Sequence, residues 1–404
     1  MKTINKIGLG IIVFFFMALC FWTWLKPQDM YSKVERRNLK QFPELTLETL
    51  FSGRFMNEFE SYALDQFPMR NELRSLKAVT SLKKDNNDIY VVDGVINSME
   101  YPLNEDSLAY AATKFEKIYE QYLKENQNPV YFSIIPDKNY FFAEKNGYLA
   151  LDYEKMVAAL RQKTDAFMTY IDIFELLSGE DYYKTDTHWR QEKLLPVAEC
   201  LLEAVFAGNR QNGADIDEEN KDIIMENLDT AKETINTVLK NTDMETEAAD
   251  TVFGNYQMNT LDNDFYGVYY GQAALPVKPD KISYLTNAVI ENYEVFDHEH
   301  QKKIDVYEME KAKGDDPYEM FLGGPLSLVT IENPANSNGR ELIIFRDSFG
   351  SSIAPLLAQE YAKTTLIDIR YLQSALLGKF VDFQNADVLF LYSSSVLNNS
   401  NTLK

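Results

Sequence analysis

Basic residues, cysteine and histidine are all scarce in this chain of 404 residues, and each shortage removes a class of function. Lys and Arg number 40 against 62 Asp and Glu, leaving a formal charge of −22. Such a balance repels a phosphate backbone and argues against general nucleic-acid binding. The two cysteines are Cys20, inside an apolar run, and Cys200, so no intramolecular disulfide staples the region beyond that run. There is no Walker A loop, GxGxxG turn, HExxH helix or paired CxxC, which leaves nucleotide, zincin and zinc-ribbon readings without residues. No metal or cofactor is expected. What is present is bulk: 45% hydrophobic and 13% aromatic residues, with 25 Tyr and 25 Phe, which describes a folded chain. At roughly 150 residues per domain, its length suits two to three compact units or one large domain with insertions.

From Ile7 to Leu25 no charge occurs, and at about 1.5 Å per residue this run approaches the ~30 Å hydrocarbon core of a bilayer. The sequence therefore predicts one transmembrane helix over residues 7–25. Lys2 and Lys6 precede it and Trp22 and Trp24 close it, placing the amino end in the cytoplasm and the rest outside. No Ala-x-Ala-like exit follows, so an uncleaved anchor is expected over a signal peptide.

Beyond it, Leu47, Phe51, Phe55, Phe59 and Tyr62 recur at helical spacing and predict an amphipathic helix near 46–65 whose stripe enters a core. In Asp88–Ile96, Asp-Gly between two β-rich stretches signals a hairpin. Short strand-like runs follow at Val130–Ile135, Thr169–Phe174, Glu341–Phe345, Thr365–Ile369 and Asp387–Tyr392, most of them separated by helical patterns. This alternation predicts an α/β domain with a mostly parallel sheet covered on both faces. Between Gly213 and Asp250, 12 acidic residues stand against 3 lysines, which reads as a solvated helical insertion. The expected division is a cytoplasmic tip and anchor over 1–27, a helical linker region over 28–85, and a catalytic domain over 86–404 with the insertion at about 209–252.

Three histidines narrow the search for chemistry. His298 and His300 flank Glu299, a spacing that would put two imidazoles on one side of a strand, but no third ligand cluster is nearby and an acidic surface turn is the better reading. His188 differs. Asp186 lies two residues before it, so in an extended loop the carboxylate can accept from one ring nitrogen and leave the other as a base. Far downstream, the apolar strand Leu342–Phe345 runs into Arg346-Asp347-Ser348-Phe349-Gly350 and a helical pattern, placing Ser348 on a strand-to-helix turn where a nucleophile and oxyanion donors are well served. A plain helix-cap Ser and a structural Asp–His bond would fit the same residues.

Asp186-Thr187-His188-Trp189 resembles the signature of the DHHW family, with Thr at the second position, between the two functional side chains. DHHW proteins are similar to SGNH-like acetyltransferases of the alginate O-acetylation type, in which an Asp-x-His pair precedes a distant Ser. The resemblance extends through Phe67-Pro68-Met69-Arg70, Ile135-Pro136-Asp137-Lys138, Pro279-Asp280-Lys281-Ile282, Phe321-Leu322-Gly323-Gly324, Asp347-Ser348-Phe349 and Ile367-Asp368-Ile369-Arg370-Tyr371. It implies a three-layer α/β/α SGNH-hydrolase-like domain and an extracytoplasmic enzyme that moves acetyl onto or off a cell-surface glycan. Carried over, Ser348 is the nucleophile, His188 the general base and Asp186 its orienter. Arg346 stands where SGNH hydrolases usually have Gly, which shifts the expected oxyanion donors to N–H groups near Ser348 and at Gly323 or Gly324. Arg370 and Lys138 are further candidates for the oxyanion or substrate, and Trp189 either stacks on a sugar or packs beneath the loop. The implied partners are a polysaccharide acceptor and a polytopic membrane acyltransferase as acetyl donor. Water as acceptor would make an esterase, and a non-catalytic glycan-binding or scaffold protein is the reading from another class.

Overall fold

The computed structural model describes residues 2–32, 34–80, 88–211, 249–251, 254–275 and 277–404. The acidic insertion expected at about 209–252 therefore lies, over 212–248, outside the described residues. The chain divides into two compact units, one made of Met1–Ile96 with Tyr266–Lys278 and the other of Asn97–Phe265 with Pro279–Lys404.

In the first unit, helix Lys2–Leu25 forms. Among the described residues, however, no helix is long and apolar enough to cross a membrane, which overturns the predicted transmembrane anchor. Lys2 and Lys6 occupy its first turns, and the 19 uncharged residues that follow rise a little less than the ~30 Å they would have to span. The amphipathic segment near 46–65 breaks into Leu47–Phe51 and Arg54–Asp65 at Gly53, whose φ of 76° a residue with a Cβ rarely adopts. Of its apolar stripe only Tyr62 is buried, while Leu47 and Phe51 are exposed. The predicted hairpin is present as Ile89–Val92 and Val95–Ser98. Asp93 and Gly94 both take positive φ, at 52° and 76°, as a tight primed turn requires.

The second unit is built on an eight-stranded sheet in the order Lys302–Ile304, Glu294–Asp297, Leu328–Glu332, Lys363–Ile367, Glu341–Arg346, Ala386–Ser393, Val130–Ile135, Thr169–Tyr170. Its first three pairings are antiparallel and the remaining four parallel. The α/β reading holds, but the expected mostly parallel sheet is corrected to a mixed one. Glu294–Asp297 and Lys302–Ile304 are joined by a short hairpin, a connection open to antiparallel neighbours and not to parallel ones. Val130–Ile135 and Ala386–Ser393 are buried at every position, as strands covered on both faces are. Successive residues feed opposite cores: Leu342 and Ile344 join the helices Leu195–Gln211 and Gly350–Leu357, whereas Ile343 and Phe345 join Glu105–Ile118 and Tyr153–Thr164. Asn104, Asp137 and Asp152 cap the helices that follow them, each accepting a backbone N–H from the first turn.

Candidate active site

Ser348 lies on the turn between strand Glu341–Arg346 and helix Gly350–Leu357. Asp347 builds that turn. Its fully buried carboxylate accepts the Phe349 N–H at 3.0 Å and the Ser393 N–H at 2.8 Å, the second bond tying the turn to the neighbouring strand. The Gly350 N–H donates to the Asp347 carbonyl at 3.1 Å and the Ser351 N–H to the Ser348 carbonyl at 3.2 Å. Among the described residues the Ser348 N–H has no such partner, which leaves it as the turn's donor for an oxyanion. A Cβ on Gly350 would meet the Arg346 Cβ at 2.6 Å, so glycine is what lets the turn close over the buried arginine.

The other half of the site is a tight loop closed by a bridge between Tyr182 and Trp189, with the Tyr183 N–H donating to the His188 carbonyl at 3.0 Å. Asp280 holds it from beneath: the buried carboxylate accepts the N–H groups of Lys184 and Thr185, both at 2.9 Å, and the Thr185 hydroxyl at 2.7 Å. Lys138 holds it from the first turn of helix Lys138–Asn146, donating through Nζ to the Tyr183 carbonyl at 2.8 Å. Burial pushes the Lys138 ammonium down to about 7, against the opposing pull of Asp186, Asp280 and Asp137.

This loop delivers His188 to Ser348. The ring Nδ1 lies 2.6 Å from Asp186 Oδ1, and Nε2 lies 2.7 Å from Ser348 Oγ. Asp186 is buried, and its Oδ1 also accepts the His188 backbone N–H at 3.1 Å. With the proton on Nδ1 donated to the carboxylate, Nε2 accepts from the Ser348 hydroxyl, the tautomer that general-base work requires. One face of the imidazole is covered by Tyr318, ring centroids 3.8 Å apart and planes 10° from parallel. Phe349 approaches at 4.9 Å. The His188 side chain remains 12% exposed and Ser348 is half-buried, so reagents reach the pair from the surface. A separate cavity of about 500 Å³, lined by Tyr140, Tyr153, Val157, Arg161 and Phe174 among others, contains none of the three.

The structure thus brings together Asp186, His188 and Ser348, named from sequence, and places the other candidates differently. Trp189 is fully buried and packs beneath the loop, donating Nε1 to the Phe349 carbonyl at 3.1 Å and to Ser352 Oγ at 2.9 Å, so it offers no face to a sugar. Lys138 is buried with its ammonium under the loop. Arg370 is committed to Asp368 in a forked pair, Nε at 2.9 Å and Nη2 at 2.6 Å. The Gly324 N–H donates to the Phe321 carbonyl at 3.2 Å and is spent in its own turn; Gly323 shares that turn with φ of 74°. Arg346 is fully buried, donating to the Leu326 carbonyl at 3.2 Å, and its guanidinium lies 3.9 Å from Asp368. Away from the site, His300 pairs with Asp297 at 2.7 Å and His298 with Thr330 at 3.1 Å, and among the described residues no group of three His, Cys, Asp or Glu could hold a metal ion.

Sequence reasoning missed three contributors. Asp280 stands in a quoted motif without a role. Ser352 lies four residues after Ser348, in the first turn of the helix that the nucleophile turn opens into. Tyr318 carries no local signal, since only the fold brings it to His188.

No protein-family model and no curated protein sequence matches this chain. Solved structures do. Bacillus cereus PatB1 superposes with a TM-score of 0.55 at 17% identity, covering 77% of this chain and 97% of its own, and a second PatB1 structure bears a sulfonyl adduct. A DHHW family protein from Eubacterium siraeum gives 0.53 at 17% identity, over 79% of this chain and 97% of that one. The O-acetyltransferase domain of Pseudomonas putida AlgJ gives 0.40 at 12% identity, over 78% and 93%. At these identities the likeness is one of fold, and this chain shares its fold with PatB1 and with a DHHW family protein.

Proposed function

We propose that this protein is a serine-dependent acyl-transfer enzyme that moves acetyl from a donor onto a hydroxyl of a polysaccharide outside the cytoplasm. The observation that carries this reading is the 2.7 Å contact between His188 Nε2 and Ser348 Oγ, with Asp186 on the opposite ring nitrogen. In the first half-reaction Nε2 takes the Ser348 proton as Oγ attacks the acetyl carbonyl. The Ser348 N–H faces the developing oxyanion, and the bond to the donor's leaving group breaks as His188 returns the proton to it. The acetyl group is now an ester of Ser348. In the second half-reaction a glycan hydroxyl gives its proton to Nε2, attacks that ester and leaves acetylated, with the proton restored to Oγ. Water in place of the glycan gives hydrolysis by the same steps.

Asp186 keeps the tautomer and steadies the imidazolium formed in both halves. An acetyl donor delivered by a polytopic membrane acyltransferase suits an enzyme outside the cytoplasm. PatB1, of the same fold, takes a sulfonyl adduct, and a sulfonyl fluoride is accordingly a fitting probe for Ser348. The test is turnover of an activated acetyl ester by the full chain and by its Ser348→Ala and His188→Ala variants. Loss of roughly a thousandfold or more in both variants supports the reading. Equal turnover by all three proteins sinks it.

A further inference from the structure

Ser352 is fully buried within helix Gly350–Leu357, and every hydrogen-bonding position of its hydroxyl is in use. A hydroxyl has one proton to give and two lone pairs to offer. Tyr318 Oη donates to Ser352 Oγ at 2.9 Å, Trp189 Nε1 donates to it at 2.9 Å, and Oγ donates to the Phe349 carbonyl at 3.2 Å. The Ser352 carbonyl in turn accepts Gln191 Nε2 at 2.7 Å.

Each partner belongs to a different part of the site. Tyr318 carries the ring that lies flat on His188, Trp189 follows the base in sequence, and Phe349 follows the nucleophile. A serine inside a helix often gives its proton to a carbonyl three residues back, and the bond to Phe349 is of that ordinary kind. The two incoming bonds are not. They tether a stacked ring and an indole to the helix that the nucleophile turn opens into. Stacking alone leaves a ring free to slide in its plane, whereas the Oη bond fixes how far Tyr318 reaches across the imidazole. Burial pushes the Tyr318 phenol well above its ordinary range, so it stays protonated and remains the donor.

We propose that Ser352 is a positioning residue for the Ser348–His188 pair, holding the plane of the imidazole through Tyr318 and Trp189. Its kinetic consequence rests on the acyl-transfer reading; its geometric consequence does not. Ser352→Ala and Tyr318→Phe cut the same tether from opposite ends, and Tyr318→Phe keeps the stacked ring.

Both variants are compared with the wild-type full chain in turnover of the activated acetyl ester. Each is expected to lower kcat by about tenfold to a hundredfold, with KM within about twofold, since a small misplacement of a base is costly and the substrate still binds. The double variant is expected to be no slower than the worse single one, because the two changes remove one coupling. The second readout is the imidazole Cε1–H resonance of His188, assigned in a chain of three histidines by its loss in His188→Ala. The Tyr318 ring face shifts that resonance upfield, and it should move downfield in both variants. Unchanged kcat, multiplied effects in the double variant, or an unmoved resonance in a folded variant would overturn the proposal. Wild-type protein with no turnover would instead defeat the acyl-transfer reading, and the resonance would still decide whether the tether exists.

Discussion

Trp189 donates its indole N–H to the Phe349 carbonyl at 3.1 Å, so the residue after the base is bonded to the residue after the nucleophile. The two halves of the site, 160 residues apart in the chain, are thereby joined beneath the surface as well as at the reacting atoms. Trp189→Phe keeps most of the buried apolar bulk and removes the donor. It should cost about 1–2 kcal/mol in urea unfolding and lower turnover as well. A variant as stable and as active as the wild type would mean that the indole serves only as packing.

Asp280 anchors the base loop through three bonds at one carboxylate. Asp280→Ala removes the carboxylate that accepts from the Lys184 and Thr185 N–H groups and the Thr185 hydroxyl, beneath a fully buried Thr185. Destabilisation of about 1–3 kcal/mol is expected, along with a fall in kcat that exceeds any change in KM. The comparison of unfolding curves with steady-state kinetics separates the two effects, and an unaltered kcat would show that the loop holds its shape without the aspartate.

Gly350 closes the nucleophile turn over Arg346. In Gly350→Ala the new methyl would press on the Arg346 Cβ from 2.6 Å, and neither a backbone nor a Cβ can swing aside. Loss of about 1–3 kcal/mol is the expected cost of this overpacking. Thermal unfolding of the variant reads it directly, and an unchanged midpoint would show that the turn relaxes freely.

Lys138 sets a pH dependence. Burial depresses its folded value to about 7 from an ordinary 10.5, so between those limits the unfolded chain holds a proton that the folded chain has released. Stability contributed by this group therefore rises with pH across that window, because the cost of burying a charged ammonium is relieved. In Lys138→Met that rise should vanish. Unfolding free energies measured from pH 6 to pH 10 should diverge between the two proteins, and parallel curves would contradict the assignment.

The fold was legible where one interaction dominates. Val130–Ile135 and the strands near 341–346 and 386–393 announce themselves because their central residues, buried on both faces, form short apolar runs such as Leu342–Phe345 and Val388–Tyr392. Asp93-Gly94 specifies its hairpin through backbone conformation alone. The antiparallel strands Glu294–Asp297 and Lys302–Ile304 were missed because they are three or four residues long and lie next to and at the sheet edge with Glu294, Lys302 and Lys303 exposed, where periodicity carries little signal. Asp186, His188 and Ser348 could be named from short motifs, since acyl chemistry constrains residue types tightly. Their supports could not. Tyr318 meets His188 through a contact that only the folded chain creates, and Arg370 looked like a substrate ligand because its pairing with Asp368 two residues away is invisible without side-chain direction. Leu47 and Phe51 show the opposite error, a helical stripe that reads as core and is exposed.

The most direct measurement is the mass of the full chain after brief exposure to an activated acetyl donor, followed by peptide mapping, with Ser348→Ala alongside. The account predicts one added acetyl group on the peptide that carries Ser348, absent from the variant and discharged faster when a glycan hydroxyl is supplied. An acetyl group on any other residue, or equal labelling of both proteins, would contradict it.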